Sequence, residues 1–335
     1  MKIRTLVVAV LFLAVLSAVV FWTGRPAAPS VSDPRIGQPL ADPGVIDRAA
    51  TLRLTDQGKT VELTRKAGGA WRDVSYYGLA ADFAKLSGFV NDLTAAKVQR
   101  LVTINPERLE RLEFKDSQIE LLDASGHALW SIALGRSPAT GGRFVRFGHE
   151  GKAYLTDLNS PLDPDPKGWA DAQLLNLKPE DVARVEVSFD GGAAVACARA
   201  KKDGAWTSAG APAGKKASED KISSLLTTLG SLRFSDSADP SDPQVAAARQ
   251  HERIVRLTTF AGKTLTIALG QKPAPKAEKP KGPDEAPAPA NPVYAFISSS
   301  DSADPINALM KKRAFQVDDY VATGLPQKPD ELFGQ

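Results

Sequence analysis

Apolar and polar positions alternate over Leu52 and Leu54, break at Gln57-Gly58, and alternate again over Val61 and Leu63. Successive side chains of a strand face opposite sides, so this pattern predicts a β-hairpin buried on one face. Trp71 follows, placed to cap the core. The period then changes. Phe83, Leu86, Phe89, Val90 and Leu93 recur at three- and four-residue spacing, the stripe of an amphipathic helix starting near Asp82. Strands are predicted again at Ile119 and Leu121 and over 129–134, 144–147 and 153–155, with turns at 123–126 and 148–151.

The same order returns further on. Val185, Val187 and Phe189 alternate, Gly191-Gly192 marks a turn, and Val195 and Cys197 continue the alternation. Gly204-Ala205-Trp206 repeats Gly69-Ala70-Trp71, and Ile222, Leu225, Leu226, Leu229 and Leu232 form a second helix stripe. Residues 254–257 and 264–269 predict a hairpin, and 293–297 a later strand. Asp304 before Pro305 predicts one more helix start. Trp71 and Trp206 are 135 residues apart, as are the glycines closing Ile132-Ala133-Leu134-Gly135 and Ile267-Ala268-Leu269-Gly270. Lys85-Leu86 and Leu93 match Lys221-Ile222 and Leu229 at 136. Ala153-Tyr154 is matched to Val293-Tyr294, with the extra residues assigned to a Pro-rich insert. Ordered landmarks at nearly one offset predict an internal duplication. The expected fold is α+β: two tandem repeats, each a mostly antiparallel sheet with a packed helix, behind an N-terminal transmembrane helix.

That helix is expected over residues 1–24. Lys2 and Arg4 precede an apolar run from Leu6 to Trp22 broken only by Ser17, approaching the roughly 20 residues that span a bilayer. Trp22 sits where an interfacial aromatic belongs. Arg25, Pro26 and Pro29 make a poor cleavage context, which favours an uncleaved signal anchor; a cleaved signal peptide is the other reading. The flanking charges orient the rest outward, so the expectation is a single-pass inner-membrane protein with its bulk in a bacterial periplasm. Residues 25–44 read as a Pro-rich stalk and 45–160 as the first repeat. Residues 161–178 read as a linker, 179–325 as the second repeat and 326–335 as a tail. A Pro-, Lys- and Ala-rich stretch at 271–292 is expected to be disordered.

Charge and chemistry add little. A formal net charge of +3 over 335 residues argues against a nucleic-acid partner, which wants a concentrated basic face. Cys197 is the single cysteine and reads as a buried, inert thiol. His127, His149 and His251 are scattered without metal-ligand spacing, and the first two fall in predicted turns. No Gly-x-Ser-x-Gly elbow or phosphate loop appears, and Gly141-Gly142 and Gly191-Gly192 open no predicted helix. Asp163, Asp165, Asp171 and Asp181 lie in Pro-rich surroundings that read as loop. No catalytic, cofactor or metal site is assigned. The most suggestive polar cluster is Arg136, Arg143 and Arg146 around Gly141-Gly142, a candidate anion- or partner-binding face. The alternative is a solvated strand face.

An N-terminal anchor, a strand pair ending in Gly-x-Trp, an amphipathic helix and a later strand ending in Leu-Gly, with all but the anchor repeated, resembles the bacterial family catalogued as domain of unknown function 4340. The resemblance covers roughly residues 45–325. It implies no enzyme activity and transfers no functional residues. It implies an accessory role beside ABC-type export systems that resemble the auxiliary transport components of gliding motility. The expectation is therefore a non-enzymatic, membrane-anchored periplasmic accessory protein without a cofactor, with the inner membrane and ABC transporter subunits as partners. The alternative is a periplasmic binding module for a glycan or other anionic envelope polymer, using the three arginines. A hydrolase assembled from distant residues ranks third.

Overall fold

The structure is a computed structural model that describes residues 33–189, 194–273 and 291–334. It is mixed α+β, with two large antiparallel sheets and few helices. Two compact units divide between Trp169 and Ala170.

In the first unit a short helix, α1 (Pro43–Arg48), leads into β1 (Thr51–Asp56) and β2 (Lys59–Arg65). Gln57 and Gly58 between them both have positive φ, the geometry of a tight hairpin turn that matches strand twist. Next come β3 (Trp71–Asp73), β4 (Leu79–Ala80), α2 (Phe83–Ala95), β5 (Val98–Thr103) and α3 (Pro106–Glu110). β6 (Ser117–Leu122), β7 (Ala128–Leu134), β8 (Arg143–Phe147) and β9 (Ala153–Thr156) complete the sheet. Its order is β4-β3-β2-β1-β6-β7-β8-β9-β5. Register aligns Leu63, Leu52 and Leu121 across three strands, and Val61, Leu54, Ile119 and Ile132 across four. These residues form one core with Leu86, Phe89 and Leu93 of α2. A smaller cluster of Leu112, Phe144 and Ala153 takes in Leu109 of α3.

The second unit contains β10 (Val182–Val187), β11 (Val195–Ala198), β12 (Lys216–Ala217), α4 (Glu219–Gly230), β13 (Asp236–Ala238) and α5 (Pro243–Arg249). It continues with β14 (Glu252–Thr259), β15 (Thr264–Gln271), β16 (Val293–Ser299), α6 (Pro305–Lys312), β17 (Ala314–Val317), α7 (Asp319–Thr323) and β18 (Phe333–Gly334). The main sheet runs β11-β10-β14-β15-β16-β17-β13. Without β3 and β4, the first sheet runs β2-β1-β6-β7-β8-β9-β5, which is the same order read in chain sequence.

The two Leu-Gly strand ends have one physical cause. A Cβ on Gly135 would lie 2.3 Å from the carbonyl oxygen of Leu112, just past α3, and one on Gly270 would lie 2.5 Å from that of Ala248 in α5. Only glycine lets a short helix pass so close to the strand.

Several expectations need correcting. The expected stalk enters the fold from residue 33 onward: Leu40 and Ala41 are buried, and their N–H groups donate to Ala96 and Leu93. This strap covers the β5 side of the sheet, with Val98 and Gln38 hydrogen bonded in the same way. The expected linker does the same for the second unit. There Leu174 donates to Leu232, Leu177 to Gly230, and Phe234 to Ala172. Trp169, in a 3-10 turn over Pro166–Trp169, and Leu332, in one over Pro329–Leu332, are both about 1% exposed. Linker and tail are thus core elements of the units they close. Phe83, assigned to the buried stripe, is 75% exposed because it opens α2 ahead of the first inward turn.

The tyrosine match also changes. Tyr294 lies in β16, whose place in the sheet is that of β8 and Phe144. Tyr154 pairs with Val145, as Phe315 pairs with Ala295, and both Tyr154 and Phe315 are fully buried.

Among the described residues no helix is long and apolar enough to cross a membrane. This corrects the single-pass inner-membrane placement. The 13-residue α2 spans only about 20 Å of a roughly 30 Å hydrocarbon core. The expected anchor at 1–24, the turn at Gly191-Gly192 and most of the 271–292 stretch lie outside the described residues. At the base of that stretch, Gln271 Nε2 donates to the Asn291 carbonyl and Asn291 Nδ2 to that of Lys272.

Candidate functional site

Polar groups at matching places in the two units do matching work. At the end of β2, Arg65 lies 5.7 Å over the Trp71 ring and donates to the Asp47 carbonyl at 2.6 Å. After β11, Arg199 lies 4.7 Å over Trp206 and donates to the carbonyls of Pro179 and Val182. Each arginine clamps a tryptophan and ties the turn before the first strand to the end of the second. At the helix starts, the Asp82 N–H donates to Trp169 O and the Ser218 N–H to Leu332 O. Lys85 Nζ donates to Gly168 O and Lys221 Nζ to Phe333 O. Asp163 pairs with Lys85; burial opposes its ionisation, but this partner and the Asp165 N–H hold its carboxyl below the ordinary range.

A concavity of about 690 Å³ lies where the strap meets β8 and β9. Asp33 is buried there and accepts from Lys152 Nζ at 2.9 Å and Tyr154 Oη at 3.0 Å. Burial works against the Asp33 charge, but Lys152, the Arg35 N–H and the Tyr154 hydroxyl outweigh it and keep the carboxyl below its usual range. Burial and the Asp33 acceptor push the Tyr154 hydroxyl up to about 12. Arg35 pairs with Glu150 and stacks 4.1 Å over Phe147. Asp33 pairs with Lys152 and Arg35 with Glu150, so the cluster fastens the strap to the turn between β8 and β9.

The three candidate arginines do not form one face. Within β8, Arg143 shares its face with Val145 and Phe147 of the main core, and Arg146 shares the other with Phe144. Arg143 Nε donates to Gly135 O at 2.7 Å. Arg136 is exposed, donates to Arg111 O and lies 5.6 Å over Phe144. Between them Gly142 needs to be glycine: its φ is +81, a Cβ would lie 2.1 Å from Thr156 O, and its N–H donates to Asn159. Only Arg146 keeps an unanswered polar atom, a buried Nε without a hydrogen bond. It lines a cavity of about 280 Å³ with Thr55, Phe114, Lys115 and Gln118.

The chain matches a family described as a domain of unknown function, DUF4340, over residues 71–251. It belongs to the DUF4340 family. The match begins at Trp71 and ends at His251, so it takes in parts of both compact units. No curated protein and no solved structure matches the chain.

The remaining polar residues take local roles on this DUF4340 fold. Among the described residues, no group of three or more His, Cys, Asp or Glu is arranged to hold a metal. His127 sits in the turn after β6, 3.5 Å from Asp123, with its side chain 82% exposed. His149 and His251 are exposed. Cys197 is buried, and burial pushes its thiol up. Asp181 pairs with Lys202 at 2.6 Å, and Asp171 lies 3.9 Å from Arg233. Asp73 was not singled out by its sequence context. It is fully buried at the end of β3, with one oxygen unpaired and the other accepting the Tyr76 N–H. Burial, helped by nearby Asp165, pushes its carboxyl up to about 6 against the backbone N–H groups of Tyr76 and Ser75. An aspartate after a tryptophan in a short strand gives no sequence signal for this.

Proposed function

We propose that the chain is a tandem duplication of one α+β unit and works as a non-catalytic accessory protein that recognises other proteins, among them subunits of an ABC-type export system. What carries this reading is the work done by its ionisable residues at matching places. Arg65 and Arg199 clamp tryptophans, and Lys85 and Lys221 cap closing turns. Such residues are committed to building the unit twice. The shared strand order, the paired glycines Gly135 and Gly270, and the paired straps support the duplication. The export partner follows from the family resemblance.

The test is cross-linking in whole cells, affinity capture of the tagged chain, and mass spectrometry of what is retained. Recovery of an ABC ATPase together with its permease is the expected outcome. Recovery of the chain alone, at cross-linker levels that capture a known transporter pair, overturns the assignment.

A further inference from the structure

The cavity at Arg146 is built by register. Thr55 lies opposite Gln118, Gln118 opposite Ala133, and Ala133 opposite Arg146, so four strands place these side chains in one row. Ala133 is the short member, and the row dips there, between an amide and a guanidinium. Lys115, Asp116 and Ser117 also line the cavity. Arg146 lies 5.5 Å over the Phe114 ring, its Nε is buried without a hydrogen bond, and it makes no ion pair among the described residues. A buried donor left unpaired is costly, more so when it is charged.

The second unit has the same row with different chemistry. Ile254 faces Ala268, and Ala268 faces Phe296. The alanine is kept, but the row has neither cation nor amide. The polar cavity therefore belongs to the first unit alone.

We propose that this cavity binds a single carboxylate group. The planar guanidinium fork matches a carboxylate, Gln118 and Thr55 add neutral donors, and Lys115 adds a second cation. Asp116, which also lines the cavity, disfavours a dianion more than a monoanion. At about 280 Å³ the cavity takes a carboxylate with a methylene or two, such as a free short-chain acid or the tip of a glutamate on a peptide. This inference is independent of the export assignment, because it is read with purified protein and no partner.

The test is calorimetric titration of the full chain with acetate, with N-acetylglutamate amide, with a blocked peptide containing one glutamate, and with inorganic phosphate. The three carboxylates are expected to bind, or the glutamate forms alone. Arg146→Met, which keeps the packing on Phe114, is expected to weaken binding roughly tenfold or more. Ala133→Leu, which fills the dip and keeps the cation, is expected to do the same, and Arg136→Gln to leave affinity unchanged. Thermal melts check that each variant folds, and Arg146→Lys, which keeps charge without the fork, is expected to fall between wild type and Arg146→Met. Binding of acetate as tightly as the peptide identifies a free acid as the source, and binding of the glutamate forms alone identifies a side chain. Absence of carboxylate binding, equal binding by Arg146→Met, or preference for phosphate overturns the proposal.

Discussion

The two units make the same cation–ring contact with the partners exchanged. In the first, the sheet strand supplies the cation, Arg146, and the segment after the short helix supplies the ring, Phe114. In the second, the strand supplies the ring, Phe296, and the short helix supplies the cation, Arg249, at 3.9 Å. Either arrangement covers the strand beside the glycine. The contact is kept in both units with its polarity reversed. The exchange decides whether the strand or the segment packed on it carries the cation. In the second unit the cation sits on the helix, 4.0 Å from Glu252, and the strand position opposite Ala268 is the apolar Phe296. In the first it stands on the strand beside a cavity, with no ion pair among the described residues.

The most disruptive way to probe this parallel is to remove the closing residues. Trp169→Ala takes away a ring that packs edge-on to Phe89 at 5.4 Å and lies under Lys85. It is expected to cost about 3–5 kcal/mol, and Leu332→Ala about 2–5 kcal/mol. Each is expected to lower the unfolding transition of its own unit, read by urea denaturation with hydrogen exchange assigning the unit. Loss of stability in neither would mean that these segments are, after all, linker and tail.

A smaller effect sharpens a difference. Asp73 belongs to the β3–β4 hairpin, of which the second sheet keeps, among the described residues, only a single bridge between Ala198 and Thr207. Its folded carboxyl titrates near 6, against 3.8 for an ordinary aspartate. Its contribution is most favourable below about pH 4 and is lost as the pH rises through about 6, where a buried charge is held with one oxygen unpaired. Asp73→Asn is therefore expected to stabilise the first unit by about 2 kcal/mol above pH 6, with the gain fading toward pH 4 and the second unit unchanged. Melting curves across this range decide it, and a gain independent of pH would remove the titration argument.

The smallest effect tests the exchange itself. Phe114→Arg and Arg146→Phe are each expected to destabilise the first unit. Together they rebuild the arrangement of the second unit and are expected to recover roughly 0.5–1 kcal/mol in a double-mutant cycle. Additive losses would mean that the two contacts are not interchangeable.

Much of this architecture was legible in the chain. Alternation at Leu52, Leu54, Val61 and Leu63 and the helix stripes from Leu86 and Ile222 depend on local period, and the core is built on those residues. The strap and the closing turns were not legible. Their buried residues, such as Leu40, Trp169 and Leu332, are single apolar positions among prolines, and their backbone partners are distant in sequence. The Tyr154–Tyr294 match failed because α6 separates β16 from β17 while a five-residue turn separates β8 from β9. Arg146 was singled out together with Arg136 and Arg143 because they are close in sequence. Strand alternation sends Arg143 and Arg146 to opposite faces, and the chemistry of Arg146 comes from Thr55, Lys115 and Gln118 on strands and loops far from the glycine pair.

The closing turn also orders events during synthesis. When residue 160 leaves the ribosome, every strand of the first sheet is available, yet the Asp82 N–H and the ring site beside Phe89 are still without Trp169. Domains generally fold as units, N-terminal first, so the first unit completes itself only as the strap of the second begins to emerge. The same short stretch of chain that ends one core starts the next, and a stall there would leave the Asp82 N–H and the ring site beside Phe89 unfilled at the moment the second unit has nothing yet to pack against.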